Sequence, residues 1–87
     1  MLYLVIAKDG TDPEAPTRRQ AVRAEHLERV RPVVDSGFLL LGGALLTKEG
    51  GMMGSAMLLE ATSEEEVWTF LKSDIYSKGN VWQQFEV

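Results

Sequence analysis

The stretch LYLVIAK, residues 2–8, decides the fold of this chain. Its aliphatic and β-branched residues, followed by the turn-forming sequence DGTDP at residues 9–13, predict a β-strand. Side chains alternate across a strand, and both faces are apolar here: Leu2, Leu4 and Ile6 lie on one, and Tyr3, Val5 and Ala7 on the other. Such a strand needs cover on both sides. Helices can cover one side, and in a chain of 87 residues we expect a second copy of the protein to cover the other.

Two helices are predicted outside this strand. The first runs from Pro16 to about Asp35, because apolar residues recur there at helical spacing; these are Val22, Leu27, Val30 and Val34. Pro32 lacks a backbone donor and should kink this helix or end its regular part near Arg31. The second helix spans residues 63–73, where Ser63 opens a capping-box pattern and three glutamates occupy the helix start.

Three further strands complete a βαββαβ order. They are predicted at Phe38–Leu46, Ser55–Ala61 and Val81–Val87, and Asp74–Asn80 is a turn region before the last strand. With right-handed crossovers, this order gives a four-stranded antiparallel sheet with both helices on one face, the ferredoxin-like α+β arrangement. The chain is expected to form a single domain, residues 1–87.

Composition excludes several classes of function. Without cysteine the chain has no disulfide, thiolate metal site or cysteine nucleophile, and one histidine makes no convincing metal-ligand set. We therefore predict neither a metal nor a cofactor. A pI near 4.9 argues against nucleic acid, and no apolar run is long enough to cross a bilayer. The amino terminus lacks the basic flank of a signal peptide, so we expect a cytoplasmic protein that binds neither nucleic acid nor membrane.

Positive charge is concentrated in one short segment. All five arginines lie between Thr17 and Arg31, where two glutamates leave a charge of +3, whereas the rest of the chain carries −7. Arg19, Arg23 and His26 are spaced i, i+4 and i+7 and therefore share one face of the predicted helix. Two guanidinium groups and an imidazole on one face suit a small acidic ligand. The alternative is a solvated face whose arginines pair with nearby glutamates.

His26 is the natural general acid or base, because imidazole is the side chain that titrates near neutral pH when unperturbed. It lies at the border of the apolar stripe, where a histidine is also commonly structural. Asp35 is a carboxylate that would orient it, yet nine residues of straight helix separate the two by about 180° and roughly 13 Å. They meet only if the chain bends after Pro32, or if Asp35 acts through the substrate or from a second subunit. Otherwise Asp35 simply opens the following turn.

Ser55 and Tyr76 are candidate hydrogen-bond donors to a ligand. Ser55 lies at the start of a predicted strand, and Tyr76 lies in the turn region, where Asp74 would cap the chain. Each also has a purely structural alternative. Gly42-Gly43, inside the second strand, indicates a bulge or a close approach to the backbone by another group.

The order of these residues resembles the YciI-like, or YCII-related, family along essentially the whole chain. The matching features are the first strand, Arg-x3-Arg-x2-His-Leu from Arg19, Asp-x-Gly-x-Leu from Asp35, Gly42, Gly54-Ser55 and Asp-x-Tyr-x2-Gly from Asp74. The resemblance implies a homodimer of the dimeric α+β barrel kind, related in fold to muconolactone isomerase. It also implies a His–Asp pair, which falls here on His26 and Asp35, and one relative of the family removes halogen from a chlorinated muconate-type acid. Two departures from the family pattern are expected to alter the backbone of the pocket. Gly42-Gly43 replaces the family's usual Gly-Pro, and Asp74-Ile75-Tyr76 replaces its Asp-Pro-Tyr.

Three hypotheses about function follow. The first is a lyase, isomerase or dehalogenase in which His26 and Asp35 transfer a proton on a small organic acid; the ligand-binding residues would be Arg19, Arg23, Ser55 and Tyr76. The second is a non-catalytic binder of a small anionic metabolite, and the third is a structural or partner-binding dimer with a vestigial site. A histidine pKa that moves when a small carboxylate is added favours the first two. Turnover that is lost with His26 separates the first from the second.

Overall fold

The computed structural model describes all 87 residues and contains four strands and three helices. In chain order they are β1 (Leu2–Asp9), α1 (Ala15–Asp35), β2 (Leu39–Leu46), β3 (Met52–Glu60), α2 (Glu64–Ser73), α3 (Ile75–Lys78) and β4 (Trp82–Glu86). The third strand therefore begins three residues earlier than its sequence pattern predicts. None of the helices combines the length and the apolar character that crossing a membrane requires.

The sheet has the order β2-β3-β1-β4, and each neighbouring pair of strands is antiparallel. The helices pack on one face, so the predicted ferredoxin-like α+β fold is confirmed. Val5 and Ala7 of β1 are fully buried on the helix side, whereas Leu2 and Leu4 on the other side are 59% and 62% exposed. The two apolar faces of β1 thus differ in cover: the helices bury one and leave the other bare.

The core lies between the sheet and the helices. α2 begins where the capping box predicts, because Ser63 Oγ accepts a hydrogen bond from the Glu66 backbone N–H at 3.2 Å. Its buried face, Val67 and Leu71, packs against the sheet. The core cluster consists of Val5, Ala7, Leu39, Met57, Leu59, Ala61, Val67, Leu71, Tyr76, Val81 and Trp82.

Pro32 does not end α1, so of the two predicted effects an end of the regular helix near Arg31 is wrong, while a kink at Pro32 stays a prediction. Helical structure continues to Asp35, and the backbone N–H of Ser36 still donates to the Pro32 carbonyl at 2.9 Å. The chain then leaves the helix at Gly37, whose φ of +84° lies in the left-handed region that glycine adopts without a steric penalty.

The apolar stripe of α1 is buried less than its spacing predicts. Val22 and Val30 are half-buried, but Leu27 and Val34 are 45% and 48% exposed. Leu27 and Val34 in the second half of α1 therefore are not seated on the sheet, although Val30 packs against the core. An open space remains between this half of the helix and β2, and it becomes part of the site described below.

The predicted turn region before β4 contains the short helix α3. Asp74 caps it, as expected, because a carboxylate oxygen accepts a hydrogen bond from the Tyr76 backbone N–H at 2.9 Å. Asn80 follows with φ at +59°, a left-handed conformation that asparagine tolerates better than most residues. This turn buries Tyr76 and Asp74 against α1 and β4.

Candidate active site

A cavity of about 300 Å³ lies between α1 and strands β2 and β3. The first half of α1 contributes cationic and titratable side chains to it, and the second half contributes apolar ones. The lining residues are Arg19, Arg23, His26, Leu27, Val30, Val34, Leu39, Gly42, Gly43, Ala44, Ser55, Met57, Tyr76 and Trp82. All the predicted site residues except Asp35 therefore lie on one cavity. No three His, Cys, Asp or Glu side chains come close enough together to hold a metal ion.

His26 is paired with a buried carboxylate. Its Nδ1 lies 2.7 Å from Asp74 Oδ1, and its ring stacks on Tyr76 with centroids 3.8 Å apart and planes 9° from parallel. The edge of Trp82 closes a further side. A carboxylate at Nδ1 favours the tautomer protonated there and stabilises the imidazolium. Nε2 then carries the lone pair; it has no partner in the protein and is not enclosed, so it is the nitrogen that can meet a ligand.

The predicted orientation of His26 by Asp35 of the same chain is wrong. Asp35 is the last residue of α1 and is exposed, and its side chain makes no hydrogen bond or ion pair. Because α1 stays helical through Pro32, the bend needed to bring Asp35 back to the imidazole does not occur. Asp74 occupies that position instead. A contribution from Asp35 through the substrate, or from Asp35 of a second subunit, stays a prediction.

Arg19 does not offer its charge to the cavity. Its Nη1 donates to both carboxylate oxygens of Asp9 at 2.9 Å, and the side chains of this pair are only 5% and 4% exposed. Burial raises the pKa of Asp9 above its ordinary value, and the hydrogen bond from Arg19 partly offsets that effect. The expectation that Arg19 binds a ligand carboxylate does not fit this geometry, because Asp9 already neutralises the guanidinium. Arg19 instead packs against the site, and its Cζ lies 4.7 Å from the centroid of the Tyr76 ring.

Arg23 is the arginine that both lines the cavity and lacks a carboxylate partner. Arg18 is bound to Asp12 and Arg29 to Glu25, and these ion pairs lie outside the cavity. The half-buried side chain of Arg23 makes no hydrogen bond to any other residue. Its guanidinium is consequently free to hold an anionic ligand group with two parallel hydrogen bonds.

Ser55 presents its hydroxyl proton in a fixed direction. The Oγ accepts hydrogen bonds from Arg19 Nη2 at 3.0 Å and from Trp82 Nε1 at 3.1 Å. These two donors occupy both lone pairs of the oxygen, so the hydroxyl can act only as a donor to a third group. No protein atom accepts that proton, and Ser55 lines the cavity. A ligand atom beside Ser55 should therefore be a hydrogen-bond acceptor.

Tyr76 contributes a second hydroxyl that has no hydrogen-bond partner in the protein. Its ring is almost fully buried beneath His26, and burial raises the pKa of the phenol above its ordinary value. The group therefore stays protonated at neutral pH and is a neutral donor. The charges of Arg19 and Arg23 partly oppose this shift, which agrees with their position around the same ring.

Two site residues carried no clear functional signal in the sequence. The sequence predicts a cap at Asp74 and places it in the Asp-x-Tyr motif, whereas in the structure the same carboxylate oxygen serves both Tyr76 and His26. Trp82 fixes Ser55 from β4. The Asp-x-Tyr spacing could have indicated the second role of Asp74. An aspartate that caps a helix keeps an oxygen lone pair that can accept a hydrogen bond from another donor.

A family model described as the YCII-related domain matches residues 1–87. The chain belongs to the YCII-related family. The resemblance noted in the sequence is thereby confirmed over its full length.

Relatives of this YCII-related chain include two fungal proteins and a bacterial enzyme of known structure. It is 33% identical over 84 residues to "Derivative of benzaldehyde biosynthesis cluster protein C" of Emericella nidulans, covering 88% of this chain and 86% of that protein. It is 31% identical over 86 residues to "Fusaric acid biosynthesis protein 2" of Gibberella fujikuroi, covering 92% and 81%. The structure of 5-chloro-2-hydroxyhydroquinone dehydrochlorinase from Burkholderia phenoliruptrix, in complex with 2,5-dihydroxybenzoquinone, superposes with a TM-score of 0.83 at 28% identity, covering 99% and 89%.

Proposed function

We propose that this YCII-related protein is an enzyme that transfers a proton on a small organic acid. The observation that carries the proposal is the environment of His26. Its Nδ1 lies 2.7 Å from Asp74, its Nε2 is free, and the unpaired Arg23 lines the same cavity. A histidine held in this way can take a proton at Nε2 and return it, while the arginine holds the negative charge of the substrate.

In the proposed reaction, His26 Nε2 takes a proton from a carbon next to a carbonyl or carboxyl group. The electron pair of the broken C–H bond moves into an enolate, whose oxygen is stabilised by Arg23 and the Ser55 hydroxyl. The imidazolium then returns the proton to another carbon, which is an isomerisation. In the dehydrochlorination of a chlorinated hydroxyhydroquinone, His26 instead takes the proton of a ring hydroxyl and returns it to the carbon that carries chlorine. Chloride then departs with its bonding pair as a second ring hydroxyl loses its proton to water, which leaves a quinone. Asp74 stabilises the imidazolium in either case.

The relatives support the same class of chemistry. The structural neighbour is a dehydrochlorinase, and loss of hydrogen chloride combines removal of a proton with departure of chloride. One relative is named as a biosynthesis cluster protein and another as a fusaric acid biosynthesis protein. Together they support a role for this chain in processing small molecules. The neighbour binds 2,5-dihydroxybenzoquinone, which suggests that acidic hydroxyl groups as well as carboxylates can serve as the anionic group of the ligand.

A homodimer and a cytoplasmic location are further parts of the proposal. The exposed leucines on the bare face of the sheet, Leu2, Leu4 and Leu41, support a dimer. The absence of cysteine agrees with a reducing compartment. In such a dimer, Asp35 of the second subunit is a candidate to complete the site.

The direct test is turnover of 5-chloro-2-hydroxyhydroquinone, followed as chloride release. We expect His26→Asn to lower kcat about 10²- to 10⁴-fold, the usual contribution of a general base. We expect Arg23→Ala to raise KM more than it lowers kcat, because it removes a charge that holds the substrate. Arg31→Ala is the matched control, since Arg31 is exposed on the same helix and does not line the cavity.

Two results would contradict the enzyme proposal. Full turnover by His26→Asn would remove His26 from the chemistry. Binding of 2,5-dihydroxybenzoquinone without turnover of any chlorinated or isomerisable acid would replace the enzyme with a ligand-binding protein. Binding is measurable without ambiguity, because His26 is the single histidine of the chain and its ring protons report the site by NMR.

A further inference from the structure

We propose that Gly42 determines the specificity of this site, because the side chain it lacks leaves room for an apolar arm on the ligand. The inference rests on the proposed function for the acidic head of that ligand and adds a second recognition element. The preferred substrate is accordingly an amphipathic acid, with its anionic group near Arg23 and an alkyl or aryl group beside Gly42.

The cavity has a polar end and an apolar end because of the way α1 lies along it. Arg23 and His26 come from its middle, whereas Leu27, Val30 and Val34 follow toward its carboxyl end. From residue 23 to residue 34 the helix rises about 16 Å. A ligand whose charge lies at Arg23 therefore meets progressively more apolar wall along this direction.

The strands opposite α1 repeat the same division. On β3 the polar Ser55 is followed along the helix-facing side by Met57, and their partners on β2 are Ala44 and Gly42. Met57 is a buried core residue, so Gly42 faces the helix side of the sheet. Gly42 consequently lies beside the apolar end of the cavity, with Ala44 beside Ser55.

Nothing in the protein requires glycine at position 42. A Cβ there would contact the Leu39 methyl groups at 3.7 Å and the Ala56 carbonyl oxygen at 3.9 Å, which are ordinary van der Waals distances. Its φ is not positive, so any residue could adopt its backbone conformation. Neither packing nor strain explains the glycine, and the space it leaves belongs to the cavity.

The apolar end is incompletely covered in the free protein. Leu27 and Val34 are nearly half exposed although they lie on the inner face of α1, and both line the cavity. A hydrocarbon group between these side chains and Gly42 would remove their surface from water, which favours binding. A volume of about 300 Å³ is at the small end for ligand sites and suits a short chain or a single ring next to the acid.

The test compares n-alkyl carboxylates from acetate to hexanoate, with binding followed by the His26 ring signals in NMR. In the wild type we expect the affinity to rise about fourfold for each added methylene. Gly42→Val should abolish this increase and leave acetate binding within about twofold of the wild type. Ala24→Val is the matched control, because Ala24 is exposed on α1 and does not line the cavity. It should keep the increase, and circular dichroism should show both variants folded.

The outcomes separate this inference from the proposed function. Affinity that is independent of chain length in the wild type, absence of binding of all the carboxylates, or an increase retained by Gly42→Val would overturn the role of Gly42. His26-dependent turnover of the chlorinated probe would still support the proposed enzyme in those cases. Conversely, a chain-length increase that Gly42→Val abolishes would support the apolar arm even if His26→Asn kept full turnover.

Discussion

At the scale of single residues, Ser55 connects two other residues of the site through hydrogen bonds. Its oxygen receives two buried donors, Arg19 Nη2 and Trp82 Nε1. Removing an acceptor from buried donors costs about 1–3 kcal/mol, since those donors also lack water. We expect Ser55→Ala to lower the free energy of unfolding by this amount in urea titrations, and to reduce ligand affinity as well. Ser55→Thr keeps the hydroxyl and should retain most of the stability; equal losses in the two variants would contradict the hydrogen-bond account.

The ion pair between Asp12 and Arg18 gives a pH dependence outside the site. Two hydrogen bonds from Arg18, at 2.7 and 2.8 Å, lower the pKa of Asp12 from 3.8 to about 2. A carboxyl group whose pKa is lower in the folded state contributes stability above pH 3.8, and this contribution is lost as the pH falls to about 2. The raised pKa of Asp9 acts in the opposite direction, because folding then favours the protonated form of that group.

Asp12→Asn isolates this contribution from that of Asp9. The variant should have a lower Tm than the wild type at pH 5, and the two should converge as the pH falls through about 2, where Asp12 of the wild type becomes protonated in the folded as well as the unfolded chain. The effect at pH 5 should be small and should diminish in salt, since the pair lies at the surface. A difference in Tm that persists unchanged at pH 2 would mean that Asp12 acts by another route.

Sequence reasoning located the residues of the cavity better than it located their partners. Arg23, His26, Ser55 and Tyr76 line one cavity, as their placement on the predicted helix, strand and turn suggested. The partner of His26 was missed because Asp74 is 48 residues away along the chain. Helical spacing describes neighbours within one element, whereas this contact forms only when α3 packs against α1.

At the scale of elements, α3 links the fold to the chemistry. Asp74 caps this short helix and holds His26 with the same oxygen. Asp74→Ala should lower the free energy of unfolding by about 1–2 kcal/mol through the lost cap, whereas Asp74→Asn should cost less because asparagine caps equally well. Both variants should lose turnover, since neither stabilises the imidazolium. Asp74→Asn with normal turnover would show that the carboxylate serves α3 alone.

α1 shows what an amphipathic pattern can and cannot predict. Its spacing correctly indicated a helix and the face that turns toward the sheet. It did not distinguish a packed face from one that lines a cavity, because Leu27 and Val34 satisfy the same period in either case. Pro32 likewise suggested an end to the regular helix, yet helical structure continues to Asp35. A proline near the end of a helix removes one hydrogen bond without preventing the remaining turn.

At the scale of the whole molecule, the βαββαβ order was predictable because every strand and both long helices carried a separate local signal. The two-sided apolar character of β1 predicted that helices alone would not cover the sheet. The structure shows one face covered and one bare, with three leucines in a row across it: Leu4 pairs with Leu58 in β3, and Leu58 pairs with Leu41 in β2. The pattern of one chain predicts that this face is covered, but it does not identify the group that covers it.

The last prediction concerns this row of leucines and the proposed homodimer. Leu4 and Leu41 are 62% and 69% exposed, so a charge at either position costs little in a single chain but would be buried in a dimer formed over this face. We expect the wild type to be a dimer by light scattering at micromolar concentration, and Leu4→Glu to be a monomer with an unchanged circular dichroism spectrum. Gln20→Glu adds the same charge on the exposed side of α1 and should remain dimeric. A monomeric wild type, or a Leu4→Glu variant that stays dimeric, would place the interface elsewhere or remove it.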